Sequence, residues 1–483
     1  MDKSDLLFTP AVELARLINR REVSPVEVVK DVLARIEALQ PAINAFITVR
    51  AEAALEEARQ AEARAIEGCP AGPLDGVPFS AKDLLWTKDV RTTFGSVIFA
   101  DFIPSQDAPS VARLRDAGAI LIGKTTTPEF GHKAVTDGPL FGVTRNPWRL
   151  DRSSGGSSGG AGAAVAAGLG PIALGTDGGG SIRIPASCTG VVGFKPTLGR
   201  VPHPQAPDVF GNLSYVGPMT RTVADAALAL EIISGPHPED PHSMVRPKEK
   251  FLSILEGNPA EAVKGLKVAW TPRLGNLEVD VETLGFCRRM VDKLAGLGAE
   301  VEVVAPDFQP QEEVFLVFLQ SGLAARLGQY LDQYRDRLDQ SLVMALTRGF
   351  ELTAVRLQEA IQVRTRLYQA VQRFFGKYDL LVSPTLSRPA LSADQRAWDP
   401  VEVNGRSAGS LRSAWYPYTH PFNMSGHPAV SIPCGWTAEG LPVGFQIVGR
   451  LWQDGTVLET AAALESLCPW ADRRPGIMAA PDA

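Results

Sequence analysis

Two glycine-rich segments lie close together in the chain: Gly155-Gly156-Ser157-Ser158-Gly159-Gly160-Ala161-Gly162 and Gly175-Thr176-Asp177-Gly178-Gly179-Gly180-Ser181. A glycine-serine run by itself is most simply a flexible linker. Here the first run continues into Ala161 to Leu169, good helix formers. Its serines therefore sit at a helix N-terminus, where backbone donors and the dipole favour negative charge. The second run follows Ala173-Leu174-Gly175, which reads as a strand delivering Asp-Gly-Gly-Gly-Ser to a turn. Three successive glycines open conformations closed to other residues and let backbone N–H groups approach a ligand closely. Beside a serine nucleophile, such a turn describes an oxyanion hole.

The flanking sequence reads as α/β. Ser24-Pro25-Val26-Glu27 is a capping box with proline at N1, followed by Val29, Val32, Leu33 and Ile36 on one helical face. A second helix over 51–66 ends at Gly68-Cys69-Pro70. From Gly76 the pattern becomes short apolar runs bounded by Gly, Pro and Thr, as in 77–81 and 119–123, the signature of buried strands. Thr222 with Asp225 opens a helix to Ile233. A strand at 266–270, a helix over 281–297, a strand at 300–304 and a mostly helical stretch from 312 to 375 come next, then strands at 379–382, 429–432 and 443–448. This alternation predicts a sheet covered by helices on both faces. It divides the chain into an N-terminal helical segment, 1–70, packed on a single domain over 71–475, with the Pro/His-rich loop 235–247 as the candidate subdomain hinge.

One motif is a decoy. Gly118-Ala119-Ile120-Leu121-Ile122-Gly123-Lys124-Thr125 satisfies the pattern of a phosphate-binding loop, but a phosphate cradle needs a loop in the middle and a helix at the lysine. Ala-Ile-Leu-Ile is a buried strand, and Thr125-Thr126-Thr127-Pro128 begins no good helix.

A serine nucleophile needs a base. The six histidines (His132, His203, His237, His242, His420, His427) lie outside both serine motifs, so either the fold brings one close or the base is a lysine held neutral by burial. Lys82, at the end of the apolar run Pro78-Phe79-Ser80-Ala81, is placed to be buried. An unperturbed lysine is neutral at pH 7 in only about 4 molecules per 10,000, and lowering its pKa by roughly 3 units, about 4 kcal/mol, makes it a usable base.

The span from Gly156 to Ser187, with Lys82 upstream, resembles the amidase signature family of serine hydrolases. The likeness extends through Gly76-Val77-Pro78, Gly123-Lys124-Thr125, Arg145-Asn146-Pro147-Trp148, Gly193-Phe194-Lys195-Pro196-Thr197 and Gly440 to Gln446. The intervals agree too, with 75 residues from Lys82 to Ser157 and 24 from Ser157 to Ser181. Ser154 and Leu84 depart from the family, where many members have proline and asparagine. The resemblance implies an α/β amidase signature fold with a large mixed central sheet. It implies Ser181 as nucleophile, Ser157, after a cis peptide bond, as proton relay, and Lys82 as ultimate base. Backbone N–H groups around Gly178, Gly179, Gly180 and Ser181 then form the oxyanion hole, and Asp177, Arg183, Ser158 and Thr176 support it. His132 matches a position lining the acyl pocket in relatives. Phe130, Gly131, Phe210, Tyr215 and the Trp415-Tyr416-Pro417-Tyr418 loop are further candidate walls, which points to an apolar or aryl amide as substrate, with esters and carbamates as side substrates. Cys188 has no histidine partner in sequence and reads as a buried, inert thiol. The alternatives are a glutaminase-type component of a glutamyl-tRNA amidotransferase and a silent binding protein on the same scaffold.

Composition narrows the remaining classes. Lys+Arg 48 against Asp+Glu 54 gives a net charge of −6, without the basic footprint of a nucleic-acid binder. Five scattered cysteines with no C-x-x-C and no Cys/His cluster at zinc spacing fit a reducing compartment and no metal. The acidic start Met1-Asp2-Lys3-Ser4-Asp5 is unlike a secretory signal, and 161–175 is too short and too weakly apolar for a membrane span. The expectation is a cytoplasmic enzyme, monomer or homodimer, acting on a small amide without cofactor, membrane or nucleic acid.

Overall fold

Eleven short runs of β-favouring residues pair into one sheet in the computed structural model, which describes residues 3–248, 250–275 and 278–477. In chain order they are β1 (Phe46–Val49), β2 (Pro78–Lys82), β3 (Ile120–Thr125), β4 (Ile172–Asp177), β5 (Val192–Lys195) and β6 (Tyr215–Thr220). The second half of the chain adds β7 (Lys267–Trp270), β8 (Glu300–Val303), β9 (Leu380–Pro384), β10 (Ala429–Trp436) and β11 (Pro442–Gly449). The spatial order is β1-β3-β2-β4-β6-β5-β10-β11-β9-β7-β8. Parallel pairing joins β3, β2 and β4 at one end and β9, β7 and β8 at the other, and the middle is antiparallel, so the sheet is mixed.

Period-2 alternation sorts the strand residues between two helical layers. Phe79, Ala81, Ile172, Leu174, Val268, Leu380, Phe445 and Ile447 pack with the helices Val223–Ile233, Val281–Gly296 and Asp454–Leu467. The intervening positions face the other way: Ala173 meets the helices Gly159–Ala166 and Arg183–Thr189, while Ala269, Leu381 and Val448 meet Glu312–Leu327 and Ala354–Phe375. On β2 this leaves Ser80 and Lys82 on the second face.

The N-terminal segment departs from an all-helical reading. Ser24 caps Pro25–Ile43 by accepting from the N–H groups of Val26 and Glu27, but its hydroxyl donates to Glu62 of the next helix. Between the helices, Phe46–Val49 forms an edge strand of the sheet, too short for a periodic signal. The loop 235–247 is tied down by Arg113, which donates to the carbonyls of Ile233, Gly235 and Pro236, and by the Met244 N–H on Gly199 O. Strands from both sides of this loop share the one sheet. The run Glu312–Arg337 is long and apolar enough to cross a membrane by length and composition alone; here Val314, Phe315, Val317, Leu323 and Leu327 pack into core clusters.

Close approach explains the glycines of the helix Gly159–Ala166. A Cβ at Gly160 would run into the backbone N and Oγ1 of Thr126 on the segment after β3. Gly160→Ala is therefore expected to cost about 1–3 kcal/mol, the range for overpacking, read as a lowered midpoint in thermal unfolding; an unchanged midpoint would contradict this packing.

Candidate active site

Lys82 ends β2 with its side chain fully buried and no carboxylate at hydrogen-bond distance among the described residues. Its Nζ lies 2.7 Å from Ser157 Oγ, 2.9 Å from Ser158 Oγ and 3.0 Å from Thr176 Oγ1, all neutral hydroxyls. Burial holds its pKa well below the ordinary lysine value, because a desolvated ammonium has lost its water, and the Asp177 charge opposes this only in part. The burial that the sequence anticipates for Lys82 is thus present, and it acts in the direction that favours the neutral amine.

The two serines reach Lys82 because their segment runs through packed backbone. The Gly156-Ser157 peptide bond is cis. A Cβ at Gly156 would come within 2.8 Å of the backbone of Ala134 and Val135. Ser158 is the N-cap residue of Gly159–Ala166, yet its hydroxyl makes no capping bond; it donates to Thr176 O (3.1 Å) and so turns a lone pair to Lys82. The Ser158 N–H donates to Ser181 O (3.1 Å), tying the two glycine-rich segments together.

The loop after β4 is built around one buried ion pair. Asp177 accepts from Arg183 Nε and Nη2, both at 3.0 Å, from the Gly180 N–H at 2.6 Å and from Asn423 Nδ2 at 2.9 Å. Burial alone would raise the Asp177 pKa; the Arg183 charge and hydrogen bonds, Asn423 and Lys195 outweigh it and hold the carboxyl far below its ordinary value. Arg183, also fully buried, gives its remaining donors to Thr419 O, Gln446 Oε1 and Asn423 Oδ1. The Thr419 hydroxyl donates to Gly179 O at 2.6 Å, and Gly180 takes φ 127°, a conformation closed to most side chains.

This geometry revises one expectation. Gly180 is among the oxyanion donors expected from sequence, but its N–H is committed to Asp177. Ile182 and Arg183 N–H also point at that carboxylate. Among the described residues the N–H groups of Gly178, Gly179 and Ser181 carry no hydrogen bond, and these three residues are the partly exposed ones of the loop. The Ser181 hydroxyl likewise has no partner among the described residues.

The pocket candidates divide. Gly131 lies against the triad, since a Cβ there would sit 3.0 Å from Ser157 Oγ. Phe130, with φ 53°, stacks on Phe94 and joins an aromatic cluster capped by Arg326. His132 is fixed by Glu129 O (2.7 Å) and Ser341 Oγ (2.6 Å). The other three differ in exposure. Phe210 is 78% exposed on a surface loop. Tyr215 is buried below the site, its hydroxyl donating to Asn423 O and its ring 3.8 Å from Lys195 Nζ. Tyr416 is buried in the cluster around Trp415. Cys188 is buried and its thiol pKa is pushed up by burial, as an inert thiol requires. Lys124 of the decoy motif sits in β3 and donates to Leu85 O, Thr87 and Thr92.

Asn423, Gln446, Thr419 and Lys195 take roles that the sequence reading does not assign. A usable signal exists for two of them: Gln446 and Lys195 interrupt apolar buried strands, and a polar group in such a place requires a partner. None of the six histidines hydrogen-bonds Lys82, Ser157 or Ser181 among the described residues, which leaves the lysine as the basic group at the serines.

Residues 27–458 match the family model described as Amidase. The chain is similar to an acylamidase of Rhodococcus erythropolis, 40% identical and covering 98% of each chain. It is also 37% identical to the A component of the glutamyl-tRNA(Gln) amidotransferase of Moorella thermoacetica, over 98% of this chain and 99% of that one. Among solved structures, a bacterial aryl acylamidase of the amidase signature family superposes with a TM-score of 0.89 at 32% identity, covering 96% of this chain and 97% of that chain.

Asp177→Asn keeps the shape of the loop but strands the buried Arg183 charge. Breaking one partner of a buried pair costs roughly 3–5 kcal/mol. The variant is expected to unfold at a clearly lower temperature, with Asp177→Asn/Arg183→Met regaining part of the loss; a wild-type midpoint in the single variant would contradict the role given to the pair.

Proposed function

The chain belongs to the amidase signature family and is a hydrolase acting on amides, and from that premise we propose that it cleaves a small apolar or aryl carboxamide to acid plus amine or ammonia through an acyl-enzyme on Ser181. The observation that carries this reading is the buried Lys82 amine held among three hydroxyls with no carboxylate at hydrogen-bond distance among the described residues. A neutral amine has two N–H donors and one lone pair. Ser158, whose own proton goes to Thr176 O, accepts one N–H, and Thr176 Oγ1 accepts the other. The lone pair is left to take the proton of Ser157.

In the first step Ser181 Oγ attacks the amide carbonyl while its proton passes to Ser157 and that of Ser157 to Lys82. The oxyanion is met by the N–H groups of Gly178, Gly179 and Ser181; losing one such donor typically costs about 10²–10³ in rate. Lys82 returns the proton through Ser157 to the departing nitrogen, the C–N bond breaks, and the acyl group remains as an ester on Ser181. Water, deprotonated along the same route, releases the acid and restores the serine. Esters and carbamates share the attacked carbonyl and are expected as side substrates.

The test is amine or ammonia release from aliphatic amides, anilides, carbamates and glutamine. Ser181→Ala and Lys82→Ala are each expected to lower turnover by at least about 10³-fold, since members of such a unit act together. Turnover surviving Ser181→Ala would remove the assigned nucleophile. Hydrolysis of glutamine alone, and only with a second protein chain, would favour the amidotransferase reading instead.

A further inference from the structure

On the open side of the glycine loop sits a cationic group that nothing in the hydrolytic mechanism uses. Arg412, in the helical turn Leu411–Trp415, is partly exposed, with its guanidinium carbon 5.9 Å from the centre of the Phe315 ring. That ring closes on the catalytic loop, since a Cβ at Gly179 would lie 2.7 Å from Phe315 Cζ. On its other side Arg412 Nη2 makes one long bond, 3.5 Å, to the carbonyl of His132, the neighbour of Gly131, which itself abuts Ser157 Oγ. Arg412 therefore spans the rim between the two walls that flank Ser157 and Gly179.

Arg412 Nε is buried without a partner, and among the described residues no carboxylate forms an ion pair with this side chain. Lys133 holds Asp339 at 2.6 Å and Asp137 at 2.9 Å, and the Glu312 carboxylate accepts from Ser410 Oγ at 2.7 Å without forming an ion pair with Arg412 among the described residues. His420 is fully buried on the far side of Phe315, 5.6 Å between ring centres, and takes no part in the rim. A buried polar group without a partner costs free energy unless something binds it. A guanidinium fork is the group best shaped to receive a carboxylate.

We propose that Arg412 forms a carboxylate-recognition subsite at the rim of the Ser157–Ser181 cleft, so that the preferred substrates are amides bearing a free carboxylate remote from the scissile bond. The inference rests on the amide-hydrolase reading above and adds to the apolar or aryl carboxamide a charged group that Arg412 recognises. The carboxylate can belong to the acyl half or to the leaving amine; both present the same chemistry to Arg412.

Two series separate these sources: monoamides of dicarboxylic acids from succinate to suberate, and N-acetyl amino acids. Each is compared with its counterpart in which the carboxylate is a neutral primary amide. Wild type is expected to prefer the carboxylate form by roughly tenfold or more in kcat/KM in one series, the scale of a charge-assisted hydrogen bond. In Arg412→Met that ratio is expected to fall to about one, and in Arg412→Lys to an intermediate value. The ratio is read within each variant, so a general loss of activity cancels. A wild-type ratio at or below one in both series, or a ratio unchanged in Arg412→Met, overturns the inference while leaving the amidase reading intact. If wild type cleaves no amide, the proposed function falls by itself, and thermal-shift titration with the free dicarboxylates decides the subsite. Stabilisation of wild type lost in Arg412→Met supports the inference, and equal or absent stabilisation in both forms overturns it.

Discussion

Desolvation of a single amine organises this protein. Lys82 ends a strand that is buried on both faces, and the residues it meets there are hydroxyls and a carbonyl in place of carboxylates. With a carboxylate partner at that spot the buried ammonium would be stable and useless as a base. The fixed negative charge that acts on it, Asp177, is itself neutralised by Arg183 and surrounded by donors. Environment thus pushes the lysine towards its neutral form and the aspartate in the same layer towards its ionised form, the separation of roles that acid–base catalysis requires.

The Asp177–Arg183 pair performs the complementary task. It consumes the N–H groups of Gly180, Ile182 and Arg183, which pins the loop and leaves the N–H groups of Gly178, Gly179 and Ser181 without a hydrogen bond among the described residues. Thr419 clamps the same loop from the far half of the sheet by its bond to Gly179 O, and Gln446 and Asn423 complete the shell of Arg183. The catalytic segment is thus held by residues more than two hundred positions away in sequence, and one continuous sheet brings β4 and β11 into a common frame.

What can be read from the chain follows from what is local. Glycine runs, the strand that delivers Lys82, and the intervals between Lys82, Ser157 and Ser181 are written in short windows, and through the family resemblance they lead to the fold class and to the residues that cluster. The Phe46–Val49 strand escapes because four residues carry no period. Phe210 lies on the surface, Tyr215 opens β6 and Tyr416 is buried, a spread that sequence does not reveal because an aromatic residue is as readily surface or core and only packing decides. Gly180 fails as an oxyanion donor because the competing acceptor, Asp177, becomes visible only once the turn is folded. Arg412 and Phe315 lie far from the serine motifs in sequence and have no local pattern to mark them.

The central claim is that Lys82 is neutral and acts through Ser157 on Ser181. The most direct measurement is the rate constant for covalent labelling of Ser181 by a fluorophosphonate as a function of pH. A depressed Lys82 pKa predicts that the rate climbs with pH and levels off well below the ordinary lysine pKa of about 10.4, with the plateau lost in Lys82→Ala. A rate that keeps rising to the ordinary lysine pKa, or a profile unchanged in Lys82→Ala, would contradict it.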